Sequence, residues 1–129
     1  MKERRSVITM DGQGNIALPT DTANIWMSEF ELVELFGVIA PTVRAGIKAV
    51  YNSGVLKEYE AKRHLHLSNG CDLDVYNLDM VVALAFRIRS YGAKRVRNAI
   101  LERLYLRKEK TSIFFSLNTN GIAKAEYFS

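Results

Sequence analysis

Two histidines and two aspartates lie close together in the sequence, on either side of an Asn-Gly pair. His64 and His66 alternate along one segment, and Asp72 and Asp74 alternate along the next. If both segments are strands of one hairpin, the four side chains share a face, and imidazole with carboxylate is a ligand set that suits zinc. Polar side chains on the exposed face of a hairpin need no metal, so the sequence alone predicts that no metal binds there.

Other chemistry has less support in the sequence. The single cysteine, Cys71, has no neighbouring side chain arranged as the general base that a thiol nucleophile requires. The chain lacks a phosphate-binding P-loop, a dinucleotide-binding glycine motif and the pattern of a catalytic triad. We therefore expect a protein that is not an enzyme and that carries no cofactor.

The segment 25–56 has the pattern of two helices joined by a short turn. Ser28 is placed to cap the first helix, and Glu31 three residues later completes a capping box. Gly37 stands where the chain must reverse, and Pro41 suits the first turn of the next helix. This is the layout of a helix-turn-helix, whose second helix lies in the major groove when the motif binds DNA. The two apolar faces would be formed by Leu32, Leu35 and Phe36 and by Val43, Ile47, Val50 and Tyr51.

The exposed face of the second helix, which ends at Gly54, determines what it can recognise. Between residues 28 and 53 the chain has two basic residues and three acidic ones, so attraction to phosphate must come largely from elsewhere. Two short helices joined by a glycine turn are also common in domains that bind nothing, and the segment alone leaves both readings open. The side chains that would face DNA are Thr42, Arg44, Lys48 and Asn52.

The hairpin around Asn69 and Gly70 has two plausible registers. A two-residue turn would put the leucines of the first strand on the same face as the aspartates of the second. A three-residue loop, residues 69–71, separates the apolar residues from the histidines and aspartates, and we predict this register. A hairpin after a helix-turn-helix is the order expected of a winged helix. The apolar face would carry Leu65, Leu67, Leu73 and Val75.

Positive charge is concentrated in the second half of the chain. Residues 1–78 carry 8 Lys and Arg against 10 Asp and Glu, a net charge of −2, whereas residues 79–129 carry 10 against 4, a net charge of +6. A basic segment of this density attracts nucleic-acid phosphates, although it can also be a solvated face. The residues that we expect to contact phosphates are Arg87, Arg89, Lys94, Arg95 and Arg97.

The remaining pattern predicts further short elements. The segments SVITM and NIAL, on either side of residues 11–14, predict an N-terminal hairpin. Asn77 can cap a helix whose apolar stretch, residues 80–86, we expect at the centre of the domain, with a break at Gly92. An amphipathic helix should then run to about Lys108. Its apolar face would consist of Ala93, Val96, Ile100 and Leu104, and we expect Tyr91 and Tyr105 to pack against the core.

The tail of the chain, residues 111–129, is predicted to be strand-like. The segment Thr111–Leu117 is rich in β-branched and aromatic residues, and a turn over residues 118–121 leads to a weak last strand. An exposed strand of this kind promotes aggregation. We expect it to pair either with the N-terminal hairpin or with a second copy of the chain, which would give a homodimer.

Length and composition are those of an ordinary globular domain. A chain of 129 residues fits a single domain, and 48% hydrophobic with 25% charged residues is typical of soluble proteins. No apolar run approaches the roughly 18–20 residues that span a bilayer, and the N-terminus is too briefly apolar for a signal peptide. A single cysteine fits a reducing compartment, so we expect a cytoplasmic protein without a membrane partner.

With these elements in place, the chain resembles the N-terminal module of the RhuM-type virulence-protein family. The resemblance covers about residues 25–106 and fades beyond them. It implies a DNA-binding domain of a transcription regulator, encoded on a mobile or horizontally acquired bacterial locus, but no established molecular activity. It rests on IWMSEFELVELFGV, on IKAVYNSGVL, on the histidine-bearing strand with its Asn-Gly loop, on VYNLDMVVALAFRIRS and on the basic stretch after it.

The sequence therefore predicts an α+β domain in which a winged helix-turn-helix is joined by two additional helices and short antiparallel strands. Its function would be to bind duplex DNA, weakly or as a homodimer. The alternative is a protein-interaction module of the antirepressor type, which binds a regulator protein instead of DNA. The acidic first half favours that alternative, and the basic second half favours DNA.

Overall fold

A computed structural model describes the backbone of residues 5–118 and the side chains of residues 5–106. The chain is α+β, with short antiparallel sheets, and it divides into two compact units, Met1–Arg97 and Asn98–Ser129. The elements of the first unit are β1 (Thr9–Met10), β2 (Ile16–Ala17), a 3₁₀ turn (Thr22–Asn24), β3 (Trp26–Ser28), α1 (Glu29–Phe36), α2 (Ala40–Ser53), α3 (Glu58–Ala61), β4 (Lys62–His66), β5 (Asp72–Asn77) and α4 (Leu78–Ala85). The helix α5 (Tyr91–Asn118) begins in the first unit and continues into the second.

The helices α1 and α2 begin and end where the local sequence predicts. The Ser28 hydroxyl accepts a hydrogen bond from the Glu31 backbone at 3.3 Å, and the Glu31 carboxylate accepts one from the Ser28 backbone at 2.8 Å. Gly37 ends α1 with φ 65°, a left-handed conformation that glycine adopts at least cost. Pro41 lies in the first turn of α2, and Gly54 ends that helix. The predicted capping box and turn are confirmed.

The core lies between these two helices and α4. The apolar residues predicted for α1 are all buried, as are Val43, Ile47 and Val50 on α2. Gly46 is also buried. A Cβ atom at this position would lie only 2.8 Å from Leu84 Cδ2. This glycine lets α2 approach α4 closely and does not face solvent. The buried residues of α4 are Met80, Val81, Leu84 and Ala85, which confirms its central position.

The three-stranded sheet has the strand order β3-β5-β4, with both pairs antiparallel. Asn77, the last residue of β5, accepts a hydrogen bond from the Met80 backbone at 3.1 Å and so caps α4 as predicted. The strand β3 runs directly into α1 in the same way. The predicted N-terminal hairpin is confirmed as a pair of two-residue strands, in which Thr9 lies opposite Ala17 and Met10 opposite Ile16.

The faces of the β4–β5 hairpin are divided as predicted. The two histidines and the two aspartates lie on one face, and the apolar residues lie on the other, where Val75 is fully buried. Full burial of a side chain of this kind stabilises the fold by roughly 1.5–3 kcal/mol, which explains why the faces are not exchanged. The cross-strand pairs are His64 with Asp74, Leu65 with Leu73 and His66 with Asp72.

The loop of this hairpin differs from the prediction. The backbone N of Leu67 donates to the carbonyl oxygen of Cys71 at 2.8 Å, so the three-residue loop consists of residues 68–70 instead of 69–71. Gly70 has φ 90°, and a three-residue hairpin loop needs this left-handed conformation at its last position. The pairing is therefore offset by two residues, which leaves every side chain on its predicted face because the side-chain period of a strand is two.

The helix α5 is longer than predicted, and the strand predicted over Thr111–Leu117 is wrong. The β-branched and aromatic residues of that segment favour strands only weakly, whereas extending an existing helix adds one hydrogen bond per residue without a new nucleus. Leu104 is 59% exposed instead of buried. The predicted turn and last strand after Asn118 lie outside the described residues. Over those that are described, no helix has the length and apolar character needed to cross a bilayer.

The break between α4 and α5 lies at residues 86–90, ahead of the predicted position. Ser90 caps α5, since its hydroxyl accepts a hydrogen bond from the Ala93 backbone at 3.0 Å. Gly92 lies inside the helix, where a Cβ atom would collide with the Leu35 carbonyl oxygen and with the Phe36 backbone. This glycine is therefore required for close packing of α5 against the end of α1 and not for a turn.

Candidate nucleic-acid interface

The exposed face of α2 carries the four polar residues that the sequence analysis assigned to DNA. Arg44, Lys48 and Asn52 are four residues apart, so they form one line along the helix. Thr42, in the first turn, is two positions before Arg44 and therefore lies about 200° away from it around the helix. All four are exposed because the opposite side of the helix carries its buried apolar residues. This face can reach a groove without any rearrangement of the core.

Arg44 already has a partner within the protein. Its Nε atom lies 3.1 Å from Oε1 of Glu29, the first residue of α1, and both side chains are exposed. Exposed ion pairs contribute only about 0–1 kcal/mol, so a phosphate or a base edge can replace the carboxylate.

A second basic surface lies at the junction of α4 and α5. It is a cleft of about 570 Å³, which we call the basic cleft, and none of the described side chains that line it is acidic. Three of its cationic side chains, Arg87, Arg89 and Lys94, are exposed. The lining residues are Phe86, Arg87, Ile88, Arg89, Ser90, Tyr91, Lys94 and Arg97.

The basic cleft exists because α4 stops at Ala85 and α5 starts only at Tyr91. The Ser90 hydroxyl, besides capping α5, donates to the Phe36 carbonyl oxygen at 2.7 Å, which fixes the connecting segment to the end of α1. The carbonyl oxygens at the end of α4 also need donors. Nη1 of Arg97 donates to the carbonyl oxygens of Ala85 at 2.7 Å and of Ile88 at 3.1 Å.

Arg97 and Arg95 therefore have structural partners that the sequence analysis did not predict. Arg97 is half-buried and holds the wall of the basic cleft, although it still lines it. Arg95 does not line the cleft. Its Nε donates to the Gly14 carbonyl oxygen at 2.6 Å and ties α5 to the N-terminal hairpin. These contacts join residues 9 to 81 positions apart, so no local sequence signal could have revealed them.

Two aromatic side chains beside these cations are more exposed than predicted. Phe86 is 53% exposed and Tyr91 is 61% exposed, and both line the basic cleft. Tyr105, on the second unit, is 63% exposed. The expectation that Tyr91 and Tyr105 pack against the core is wrong, since helical spacing alone does not show which turn of the helix has a neighbour. Aromatic and cationic side chains together suit stacking on bases as well as contact with phosphates.

The histidines and aspartates of the hairpin form a separate cluster. His64 Nδ1 lies 2.7 Å from Asp74 Oδ1, and His66 Nδ1 lies 2.5 Å from Asp72 Oδ1. The hydrogen bonds that His64 donates to Asp74 and to Asp72 raise the pKa of His64 above its ordinary value. The hydrogen bond that Asp74 accepts from His64 in turn lowers the pKa of Asp74, more than its slight burial raises it. These residues take no part in the two basic surfaces.

The sequence-predicted DNA residues thus fall into three groups. Arg44, Lys48 and Asn52 share one face of α2, with Thr42 on another side of its first turn, whereas four of the residues after 86 share the basic cleft and Arg95 stands apart. No residue of α2 lines the cleft as far as the described side chains show. Comparisons with protein-family models, curated proteins and solved structures find no match to the chain. The functional argument therefore rests on the geometry of these groups.

Proposed function

We propose that the protein binds duplex DNA, with α2 in the major groove and the basic cleft against the phosphate backbone. The observation that carries this proposal is the line of Arg44, Lys48 and Asn52 along the exposed face of α2. Arginine pairs with guanine and asparagine with adenine through two hydrogen bonds each, so such a line is suited to reading successive bases. The capped α1 and its glycine turn brace this helix.

The order of the elements supports a winged helix. The strand β3 precedes α1, the β4–β5 hairpin follows α2, and β3 pairs with the second strand of that hairpin. In this proposal the loop of residues 68–70 is the tip of the wing. The resemblance to the RhuM-type family implies a DNA-binding domain from a mobile or horizontally acquired bacterial locus, and a transcription regulator in the cytoplasm is the role that we propose for it.

The basic cleft supplies the charge that α2 lacks. The three exposed cations of the cleft are close in sequence, and its lining contains no acidic side chain among residues 5–106. Each phosphate that such a group neutralises releases counterions, so the affinity should depend steeply on salt concentration. The α2 face would then determine which sequence is preferred, and the basic cleft would contribute affinity to all sequences.

The proposal is tested by fluorescence anisotropy with a pool of random-sequence duplexes at low and at physiological salt. Replacing Arg87 and Arg89 together by alanine should weaken binding to every duplex, and replacing Lys48 by alanine should change the preferred sequence. Lys57→Ala is the matched control, because Lys57 is an exposed lysine that lies outside both surfaces. Absence of binding at low salt, or equal effects of all three changes, would contradict DNA binding.

The competing function is a protein-interaction module that binds a regulator protein. Two large apolar side chains on the helix-turn-helix favour it, since Phe30 and Ile39 are each 68% exposed. A protein partner would cover these residues and would leave the basic cleft in solvent. Phe30→Ser with Ile39→Ser should therefore leave DNA affinity unchanged if the helix-turn-helix binds DNA through the line of residues on α2.

A homodimer would need a different element from the predicted tail strand. The exposed apolar side chains on the described part of the second unit are an alternative, and they lie on α5. Light scattering tests this alternative. It compares the full chain with the double variant Leu101→Glu and Leu104→Glu, each at tens of micromolar protein. A monomeric wild-type chain would exclude self-association at that concentration. The exposed apolar side chains of α5 that this test concerns are Leu101, Leu104, Tyr105 and Leu106, each between 51% and 63% exposed.

A further inference from the structure

The β4–β5 hairpin brings three side chains with metal-binding groups to one place. His64 and His66 alternate along β4, and Asp72 lies opposite His66 on β5. One ligand atom from each of the three lies within 4.8 Å of the other two. All three side chains are exposed, so a hydrated ion can approach them directly. The sequence predicted no metal because polar residues on an exposed face need none, and these distances are not visible in the sequence.

A fourth residue orients one of the imidazoles. His64 Nδ1 lies 2.7 Å from Asp74 Oδ1, and the other oxygen of Asp74 lies 3.4 Å from Lys62 Nζ. With the proton of the neutral ring on Nδ1, Nε2 keeps its lone pair and faces Asp72 Oδ2 at 3.3 Å. Histidines that bind metals are usually oriented by a carboxylate in this way. Asp74 is therefore placed to orient His64 without binding the metal, and Asp72 is placed to bind the metal directly.

The separations are close to those of a zinc site. With bonds of 2.0–2.2 Å in a tetrahedron, two ligand atoms lie about 3.3 Å apart. The atoms His64 Nε2 and Asp72 Oδ2 are already at this distance. His66 Nδ1 and Asp72 Oδ1 are closer, at 2.5 Å. Rotation of two exposed side chains is sufficient to open this contact.

We propose that His64, His66 and Asp72 bind one zinc ion per chain. The ligand atoms would be His64 Nε2, His66 Nδ1 and a carboxylate oxygen of Asp72, with water in the fourth position. Two imidazoles with one carboxylate suit zinc, whereas Mg²⁺ and Ca²⁺ prefer oxygen ligands throughout. Alternation along the chain places Cys71 toward the opposite face, so its thiol is not a ligand. The chain has 2 histidines, and both belong to this site.

The first test is a calorimetric titration of the full chain with zinc chloride at neutral pH, after treatment with a chelator. We expect one ion per chain, and at least tenfold weaker binding for His66→Ala and for Asp72→Asn. Asp74→Asn should weaken binding by about 10–100-fold, because it removes the orienting carboxylate. Asp79→Asn is the matched control, since Asp79 is an exposed carboxylate outside the cluster, and it should bind as the wild type does. Equal affinity of wild type and His66→Ala would overturn the proposal.

The second test identifies the ligand atoms, and it does not depend on whether the variants fold. Imidazole nitrogen resonances of the wild-type chain are recorded with and without zinc. We expect the zinc-induced shift at Nε2 of His64 and at Nδ1 of His66, while Nδ1 of His64 keeps its proton. Unchanged histidine resonances at saturating zinc, or a shift in only one of the two rings, would overturn the three-ligand site.

Discussion

The guanidinium of Arg44 on α2 lies 3.1 Å from the carboxylate of Glu29 on α1. The side chain that we expect to read a base is thus held by the helix that braces it. Since the pair is exposed, its stabilisation is about 0–1 kcal/mol, and a ligand can compete for the arginine. In the proposed complex, Glu29 would release Arg44 before the arginine contacts DNA.

Removing the acidic partner should therefore strengthen DNA binding. We expect Glu29→Gln to raise affinity up to about fivefold, which corresponds to the release of a pair of at most about 1 kcal/mol. Glu34→Gln is the control, because it removes the same charge from an exposed position of α1. Anisotropy titrations of both variants separate the local pair from the general charge effect. An equal gain in both variants would show that the pair itself is unimportant.

The salt dependence of binding should show how many cleft residues contact phosphates. Each lost contact reduces the slope of log affinity against log salt by about 0.9, so Arg87→Ala and Arg89→Ala should each lower it by that amount. Lys57→Ala should leave the slope as it is. Titrations at four or more salt concentrations measure the slope, and an unchanged slope in Arg87→Ala would exclude this residue from the interface.

Arg97 should affect stability more than Arg87 does. Replacing Arg97 by alanine leaves the carbonyl oxygens of Ala85 and Ile88 without this donor, at a cost of roughly 1–3 kcal/mol. Arg87→Ala removes an exposed side chain and should change the free energy of unfolding by less than about 0.5 kcal/mol. Urea denaturation of the two variants makes the comparison. Equal stability would mean that water replaces the Arg97 donors without loss.

The parts of the fold that were predicted from the sequence depend on local chemistry. The capping box at Ser28, the turn at Gly37 and the cap at Asn77 each involve residues at most four positions apart, so their spacing is visible in the chain. The faces of the β4–β5 hairpin follow from alternation alone. The loop was misplaced by one residue because alternation does not determine which position takes the left-handed conformation, which Gly70 occupies.

The parts that were missed depend on distant partners or on context. Arg95 reaches a carbonyl oxygen 81 residues away, and Gly92 packs against the end of a helix more than 50 residues earlier. The tail was assigned to a strand from its composition, but it continues a helix that begins at Tyr91. For the candidate site, residue types were sufficient to select the cations, and only the structure separates those of the basic cleft from Arg95.

The close packing at Gly92 gives a sharp test of the fold. A Cβ atom there would collide with the backbone of α1, which cannot move aside as a flexible side chain can, so Gly92→Ala should destabilise the protein by at least about 1–3 kcal/mol. Gly12→Ala is the control, because nothing lies within 4 Å of its Cβ position. Thermal or urea unfolding compares the two. Similar stability of both variants would contradict the packing of α5 on α1.

The metal-free protein should lose stability as the pH rises above about 6.5, the ordinary pKa of histidine. Hydrogen bonds to Asp74 and Asp72 raise the pKa of His64 in the folded state. The stabilisation from protonated His64 is therefore complete below the unfolded-state pKa and disappears as the pH rises through the folded-state pKa. Urea midpoints between pH 6 and 8, measured with a chelator present, should fall for the wild type. Asp74→Asn should flatten this dependence, whereas Asp79→Asn should preserve it.

The strands β3 and β5 are followed directly by α1 and α4, without a connecting loop. Ser28 ends one strand and caps the next helix, Asn77 does the same for the other, and the pairs Trp26–Asn77 and Ser28–Val75 set the two strands against each other. A residue inserted at either junction would rotate a helix by about 100° relative to the sheet and would expose its buried side. Length variation among homologous chains should therefore be confined to turns such as residues 68–70, and the two strand-to-helix junctions should keep a constant length.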